Sequence, residues 1–295
     1  MAETIEQTFE REVQQELFRL KVREDARRRY DEERLASLGL PIGVMAGDPI
    51  SADVDELIPW MVPQHGGALL TGAKNEGKSL TSVEMQHSVL TGTPLWGHIV
   101  PKRTVTRTVH FMGEHHSYVL QQLIQNKLKF PSGLNMRIFG PEHLGDRRII
   151  VSNGIRRNIA VDTYKKLAEG AGLIVFDPIA SFIQGTENAE NDNTAMRQLV
   201  MSMLEVASEN SAACLILAHK GKPIFQEGKK MERYTYATRG ASAVEDALAS
   251  ILYLSRIGKD GSLYEIEQVH YKGPKADGPF KLHRSKETLR HTLLI

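Results

Sequence analysis

The run Gly72-Ala-Lys-Asn-Glu-Gly77-Lys78-Ser79 has the residue types and spacing of a loop that wraps backbone amides around the phosphates of a nucleotide. Gly72 and Gly77 are expected to take the positive φ angles that turn successive N–H groups inward. Lys78 would reach the β- and γ-phosphates, and the Ser79 hydroxyl would ligate Mg²⁺. The nucleotide-binding stretch is therefore read as Gly72, Ala73, Lys74, Asn75, Glu76, Gly77, Lys78, Ser79 and Leu80. The plainer alternative is a glycine turn carrying a stray lysine, and the flanks argue against it. Gly66 to Thr71 reads as a short buried strand and Leu80 to Leu90 as the helix leaving the loop, which sets a helix N-terminus against the phosphates.

Hydrolysis of a nucleotide also needs a carboxylate on the metal side and a group that activates water. Leu173-Ile-Val-Phe-Asp177 is an apolar strand ending in an acid, and Asp177 is expected to hold Mg²⁺ directly or through water. A strand-terminal Asp can otherwise be a simple turn former. Val109-His-Phe-Met-Gly-Glu114 ends a second strand at a carboxylate, and Glu114 is the candidate for polarising the attacking water, against the reading of a mere loop glutamate. His115 and His116 follow at once. Because Cys214 is the one thiol and no spaced His/Cys set exists, both are read as loop residues and not as zinc ligands. Cys214-Leu-Ile-Leu-Ala-His219 is a third apolar strand with a polar residue just past its end. His219 would hydrogen-bond the γ-phosphate and report its loss to the next loop, since ligands of open α/β sheets bind at the carboxyl ends of strands. That loop carries Lys220, Lys222, Lys229, Lys230 and Arg233, with Phe225, Tyr234 and Tyr236 interspersed. Cations for phosphates and rings for bases point to a contact with single-stranded nucleic acid, the alternative being a solvated loop.

These groups need a scaffold that brings strand ends together. Apolar runs at 67–71, 107–112, 173–176, 213–218 and 249–255 alternate with helical stretches, as in a mostly parallel sheet flanked by helices. Two alternating runs, 263–271 and 279–284, flank Lys272 to Gly278 and read as a C-terminal β-hairpin. Residues 1–38 differ in character. Ile5, Phe9, Val13, Leu17 and Leu20 form a narrow apolar stripe among dense mixed charges, which predicts a long charged helical arm. Such an arm docks on a neighbouring subunit or another protein, or lies solvated on its own domain; direct DNA contact by its arginines is a third option that the interleaved acids oppose. Residues 39–55, with Gly39, Pro41, Gly43, Gly47 and Pro49, read as a linker, and 56–295 as one nucleotide-binding domain. The net charge of +1 gives no global basic field, so contact with nucleic acid must be local. No run of about 18 apolar residues is present, the N-terminus is charged, and the lone cysteine can form no internal disulfide. A cytoplasmic protein without membrane contact is expected.

Taken together, the phosphate loop, Val109 to Glu114, Leu173-Ile-Val-Phe-Asp-Pro-Ile-Ala-Ser-Phe182 with Glu190-Asn-Asp-Asn193, Leu215 to His219 and Thr238-Arg-Gly-Ala-Ser-Ala243 resemble the RecA-like P-loop ATPases. The resemblance is to the hexameric replicative helicases of the plasmid RepA type and the related AAA-25 proteins of phages and mobile elements, over roughly residues 55 to 285. It implies a RecA-like α/β core, ATP and Mg²⁺ as cofactors, single-stranded DNA as partner and a hexameric ring with ATP between subunits. Replication or recombination proteins are further partners it implies. It also implies that Arg239 acts in trans at the neighbouring subunit's γ-phosphate, with Lys272 and Lys275 as the alternative trans groups; the plainer alternative is that Arg239 anchors its own loop by pairing with Glu245 or Asp246. The rival function on the same fold is a recombinase, annealing mediator or helicase loader that uses ATP as an assembly switch. An ATPase or kinase unrelated to DNA is the third reading.

Overall fold

Three wholly apolar or nearly apolar runs, at Ala68, Leu173 and Ala213, become the central strands of a nine-stranded sheet. The computed structural model describes residues 5–37, 55–148, 154–183, 193–220, 225–226, 229–230, 241–257, 260–272, 276 and 278–294. In chain order the strands are β1 (Glu56–Ile58), β2 (Val62–Pro63), β3 (Ala68–Gly72), β4 (Thr108–Met112), β5 (Met136–Phe139), β6 (Leu173–Asp177), β7 (Ala213–His219), β8 (Phe225–Gln226), β9 (Lys229–Lys230), β10 (Ser250–Arg256), β11 (Leu263–Tyr271), β12 (Phe280–Arg284) and β13 (His291–Leu294). The α-helices are α1 (Ile5–Ser37), α2 (Lys78–Thr91), α3 (Ser117–Leu123), α4 (Pro141–Leu144), α5 (Gly154–Leu167), α6 (Asn193–Glu209) and α7 (Ala241–Ala247).

Across the sheet the order is β13-β12-β11-β10-β3-β7-β6-β4-β5. From β10 to β5 every pairing is parallel, and from β10 to β13 every pairing is antiparallel. The predicted hairpin of β11 and β12 is therefore the middle of a four-stranded meander that continues the parallel core. Strands β3 and β4 are consecutive along the main sheet's chain path, yet β7 and β6 lie between them.

Side chains alternate between the two faces with the period of a strand. Leu69, Ile174, Phe176 and Ile216 join Tyr164 of α5 and Leu199 and Met203 of α6 in one core. Ala68, Leu70, Leu173, Val175, Leu215 and Leu217 join Met85 and Val89 of α2 in the other. Strands covered on both faces read as unbroken apolar runs, which is why these were visible in the sequence. The edge strands β5 and β13 are only partly buried and lack such runs, so no apolar run marks them in the sequence. Cys214 is a buried strand residue, as expected, and burial pushes its thiol up to about 12.

Helix α2 starts at Lys78, two residues before the expected start, and ends where Gly92 adopts φ 74° and donates its N–H to Ser88 O. It is also tied to the far edge of the sheet. The buried Glu84 carboxylate accepts the His291 backbone N–H at 2.7 Å, meets His291 Nδ1 at 2.6 Å and accepts Trp96 Nε1–H at 3.2 Å.

The chain divides into two units, Met1–Ala52 and Asp53–Ile295. In the first, α1 spans 33 residues, or about 50 Å. Val13, Leu17 and Leu20 of the predicted stripe are exposed, and so are Phe18 and Val22, which a turn of 100° per residue puts on other faces. Apolar residues are thus not confined to one stripe. The predicted linker lies outside the described residues except for Asp55. Among the described residues no helix is long and apolar enough to cross a membrane.

Candidate active site

The phosphate-loop residues leave β3 and turn into α2 at the carboxyl edge of the sheet. Gly77, the residue before the helix, has φ 92°, a left-handed conformation that favours glycine. No side chain caps the helix start and no acid lies in its first turn, so the amides there face no competing anion from the helix itself. Gly72 differs from expectation: it is not among the positive-φ glycines. Its requirement is space, because a Cβ there would stand 2.4 Å from the Leu254 carbonyl oxygen on β10. The second left-handed residue of the loop is Asn75, φ 65°, at the exposed tip beside Lys74.

Glu76 braces the loop. Its carboxylate accepts the Ala73 N–H at 2.7 Å and the Arg256 N–H at 3.5 Å, while Arg256 Nη2 donates to Asn75 O at 3.4 Å. On another side Arg284 packs over the Tyr264 ring at 4.4 Å, and its Nη1 lies 3.0 Å from where a Cβ on Gly77 would stand. Leu80 is buried at 6% exposure against Val83 and Met112.

Strand register levels the ends of four strands. Gly72 lies opposite His219, and Met112 opposite Asp177. Lys78 is 5% exposed; its Nζ donates to Gly72 O at 3.0 Å and Ala73 O at 2.8 Å and lies 3.3 Å from His219 Nδ1. His219 Nε2 in turn is 3.8 Å from Glu114 Oε1. His219 is the last residue of β7 rather than the first beyond it, and it stands between the lysine and the glutamate. Its pKa is lowered by burial and by the Lys78 charge, against the opposing pull of Glu114 and Asp177. Asp177 is buried, with His110 Nε2 3.4 Å from its Oδ2 and Ser79 close enough to favour its charged form. Burial pushes its carboxyl up, but those neighbours and the Lys78 ammonium outweigh it and hold the carboxyl below its ordinary value. Ser79 and Asp177 thus present oxygen donors from two elements to one point, the donor type that Mg²⁺ takes.

The remaining candidates are dispersed. His116 Nδ1 pairs with Glu142 at 3.0 Å. Lys220 is exposed, its backbone N–H bonds Gly72 O at 2.9 Å and its Nζ donates to the Tyr253 hydroxyl at 2.9 Å. Lys229 and Lys230 form β9, paired with Phe225 and Gln226 of β8. Lys272 Nζ donates to Asp246 O at the end of α7, 3.3 Å away. Lys222, Arg233, Arg239 and Lys275 lie outside the described residues, as do Glu190 to Asp192.

Four residues at the site were not singled out from the sequence. His110 and Gln86 sit beneath Asp177, and Arg256 and Arg284 flank the loop. The one local signal was His110 itself, a polar residue inside an apolar strand. The arginines come from the meander, whose approach to the loop has no local sequence mark.

The sequence model of the AAA_25 family, described as an AAA domain, matches residues 46–223. No curated protein matches the chain. Among solved structures, a DnaB-like replicative helicase, described with its interactions with primase, superposes with a TM-score of 0.54 at 14% identity, covering 96% of this chain and 74% of that one. The RadB recombinase superposes with a TM-score of 0.50 at 12% identity, covering 78% of this chain and 92% of that one. At such identities the likeness is one of fold, and the fold is RecA-like.

Proposed function

As the chain belongs to the AAA_25 family and has a RecA-like ATPase fold, we propose that it hydrolyses ATP as a single-stranded-DNA-dependent motor. In this reading it is a cytoplasmic replicative helicase that works as a homo-oligomeric ring, most simply a hexamer, alongside replication or recombination proteins. The observation that carries the reading is the convergence of Lys78, His219, Glu114 and Asp177, drawn from separate stretches of chain, beside the free amides that open α2.

The roles follow from chemistry and position. Lys78 and the amides of the loop Gly72 to Leu80, apart from the Ala73 N–H that Glu76 takes, would hold the phosphates. Ser79 and Asp177 would hold Mg²⁺, which when bound neutralises charge on the phosphate oxygens. Glu114 would orient the attacking water as general base, its carboxylate being part-exposed where water can reach it. His219, bonded to Lys78 on one side and facing Glu114 on the other, would link the state of the phosphate to the segment after β7. Lys220, Lys222, Lys229, Lys230 and Arg233 would track the DNA backbone. Arg239 would complete a neighbour's site, with Lys272 or Lys275 as the alternative.

A second reading draws on the fold shared with the RadB recombinase: a recombinase, annealing mediator or loader in which ATP switches assembly. ATPase rate with and without single-stranded DNA, strand displacement on a forked duplex, and electron microscopy of the particles separate the two. Stimulated hydrolysis, ATP-dependent unwinding and closed rings are expected. Filaments or annealing without unwinding favour the second reading. An ATPase rate indifferent to single-stranded DNA, with no salt-dependent binding, rejects both.

A further inference from the structure

Beneath the site lie two buried polar residues, His110 and Gln86, that none of the roles above uses. His110 occupies the middle of β4 between Val109 and Phe111, and its side chain has no exposure. Its Nε2 is 3.4 Å from Asp177 Oδ2 and its Nδ1 is 2.9 Å from Gln86 Nε2. Gln86 belongs to α2, and its amide nitrogen also donates to Ser82 O at 3.3 Å. Because Ser82 O can only accept, the amide is oriented with its nitrogen toward that carbonyl and the ring. Nδ1 must then accept, and the ring proton sits on Nε2, aimed at the carboxylate. Ser79, which neighbours the same carboxylate, is also on α2. The path Ser79–Asp177–His110–Gln86 therefore leaves the phosphate-loop helix and returns to it.

We propose that His110, held by Gln86, is a positioning residue that fixes the Asp177 carboxylate against Ser79 and so sets the affinity of the site for Mg²⁺-nucleotide. The inference rests on Ser79 and Asp177 being the metal-side oxygens. A buried imidazole in a strand otherwise apolar must recover its desolvation through its bonds. Both ring nitrogens spend their bonds on one carboxylate and on the helix that carries Ser79. Partners that orient a metal-side carboxylate typically contribute roughly 10- to 100-fold to metal affinity.

The test uses the full chain and a fluorescent ADP analogue, titrated with Mg²⁺ and compared with binding in EDTA. His110→Phe fills the space and removes both bonds. It is expected to raise the Mg²⁺ concentration for half-maximal binding roughly tenfold while affinity in EDTA stays as in the unmodified chain. Gln86→Met keeps the ring but frees its tautomer, and should shift Mg²⁺ dependence in the same direction by less; it carries the test if His110→Phe fails to fold. Asp177→Asn should abolish the Mg²⁺ dependence. If it does so while folded His110→Phe and Gln86→Met both keep the unmodified Mg²⁺ dependence, the role of His110 is wrong. If Asp177→Asn itself keeps the Mg²⁺ dependence, the metal reading of Asp177 falls and takes the inference with it.

Discussion

Lys78 is surrounded by Asp177, Glu76 and Glu114, yet burial outweighs their attraction and lowers its pKa from the ordinary lysine value. Its ammonium is bonded to two loop carbonyls and to His219, so it shapes the loop, and in the proposed reading it supplies the charge for phosphates. Lys78→Ala is expected to abolish ATP hydrolysis, measured as phosphate release. Glu114→Gln removes the base but leaves the loop intact. It should keep ATP binding and lower turnover by about 10²- to 10⁴-fold; normal turnover would place the base elsewhere. The lowered pKa of His219 has a definite sign. Just below its ordinary value of 6.5 the unfolded chain takes up the proton and the folded chain resists it. Stability should therefore fall as pH drops from that value toward the depressed one, and the acceptor Nδ1 facing Lys78 persists into mildly acidic solution. The acid limb of the kcat/KM profile, which reports the nucleotide-free site, is expected below the ordinary histidine range, and His219→Gln should displace it.

At the level of elements, the site is a product of strand ends held level. Gly72 opposite His219 and Met112 opposite Asp177 align β3, β7, β6 and β4 at one edge. The close approach of β3 and β10 is part of that alignment. Gly72→Ala would drive a Cβ to 2.4 Å from the Leu254 carbonyl, and backbone in a paired strand has little room to yield. The substitution should destabilise the domain by about 1–3 kcal/mol, read from urea unfolding, and weaken nucleotide binding as the loop shifts. Gly72 reads in the sequence as a residue needed for its φ, but its position in a paired strand makes steric room the reason instead. The loop's second brace, Glu76 to Ala73 and Arg256, binds the phosphate loop to β10, the strand where parallel pairing gives way to the meander.

Across the whole molecule, Glu84 joins the phosphate-loop helix to β13 through a buried carboxylate with three donors around it. Removing one member of such a group leaves the other polar atoms buried without partners. Glu84→Ala is expected to cost about 3–5 kcal/mol, seen as a lower melting temperature, and to loosen α2 against the meander. Arg290 adds a parallel tie: its side chain donates to Leu128 O at 2.6 Å and stacks over Phe130, whose ring packs on His87 of α2. The meander is thus part of the scaffold of the nucleotide site and not an appendage to it.

The phosphate loop could be picked out from the linear chain by its residue types and spacing, and Asp177, Glu114 and His219 because a strand buried on both faces reads as a nearly continuous apolar run. A polar residue closing such a run marks the carboxyl edge where ligands bind. Those signals are local, and local chemistry is enough to generate them. Nothing local announces that β7 and β6 insert between β3 and β4, that Glu84 meets His291 across 207 positions, or that His110 and Gln86 close a path under Asp177. Such partnerships arise only when separate elements pack, because a buried polar group takes whichever partner the packed core brings within reach.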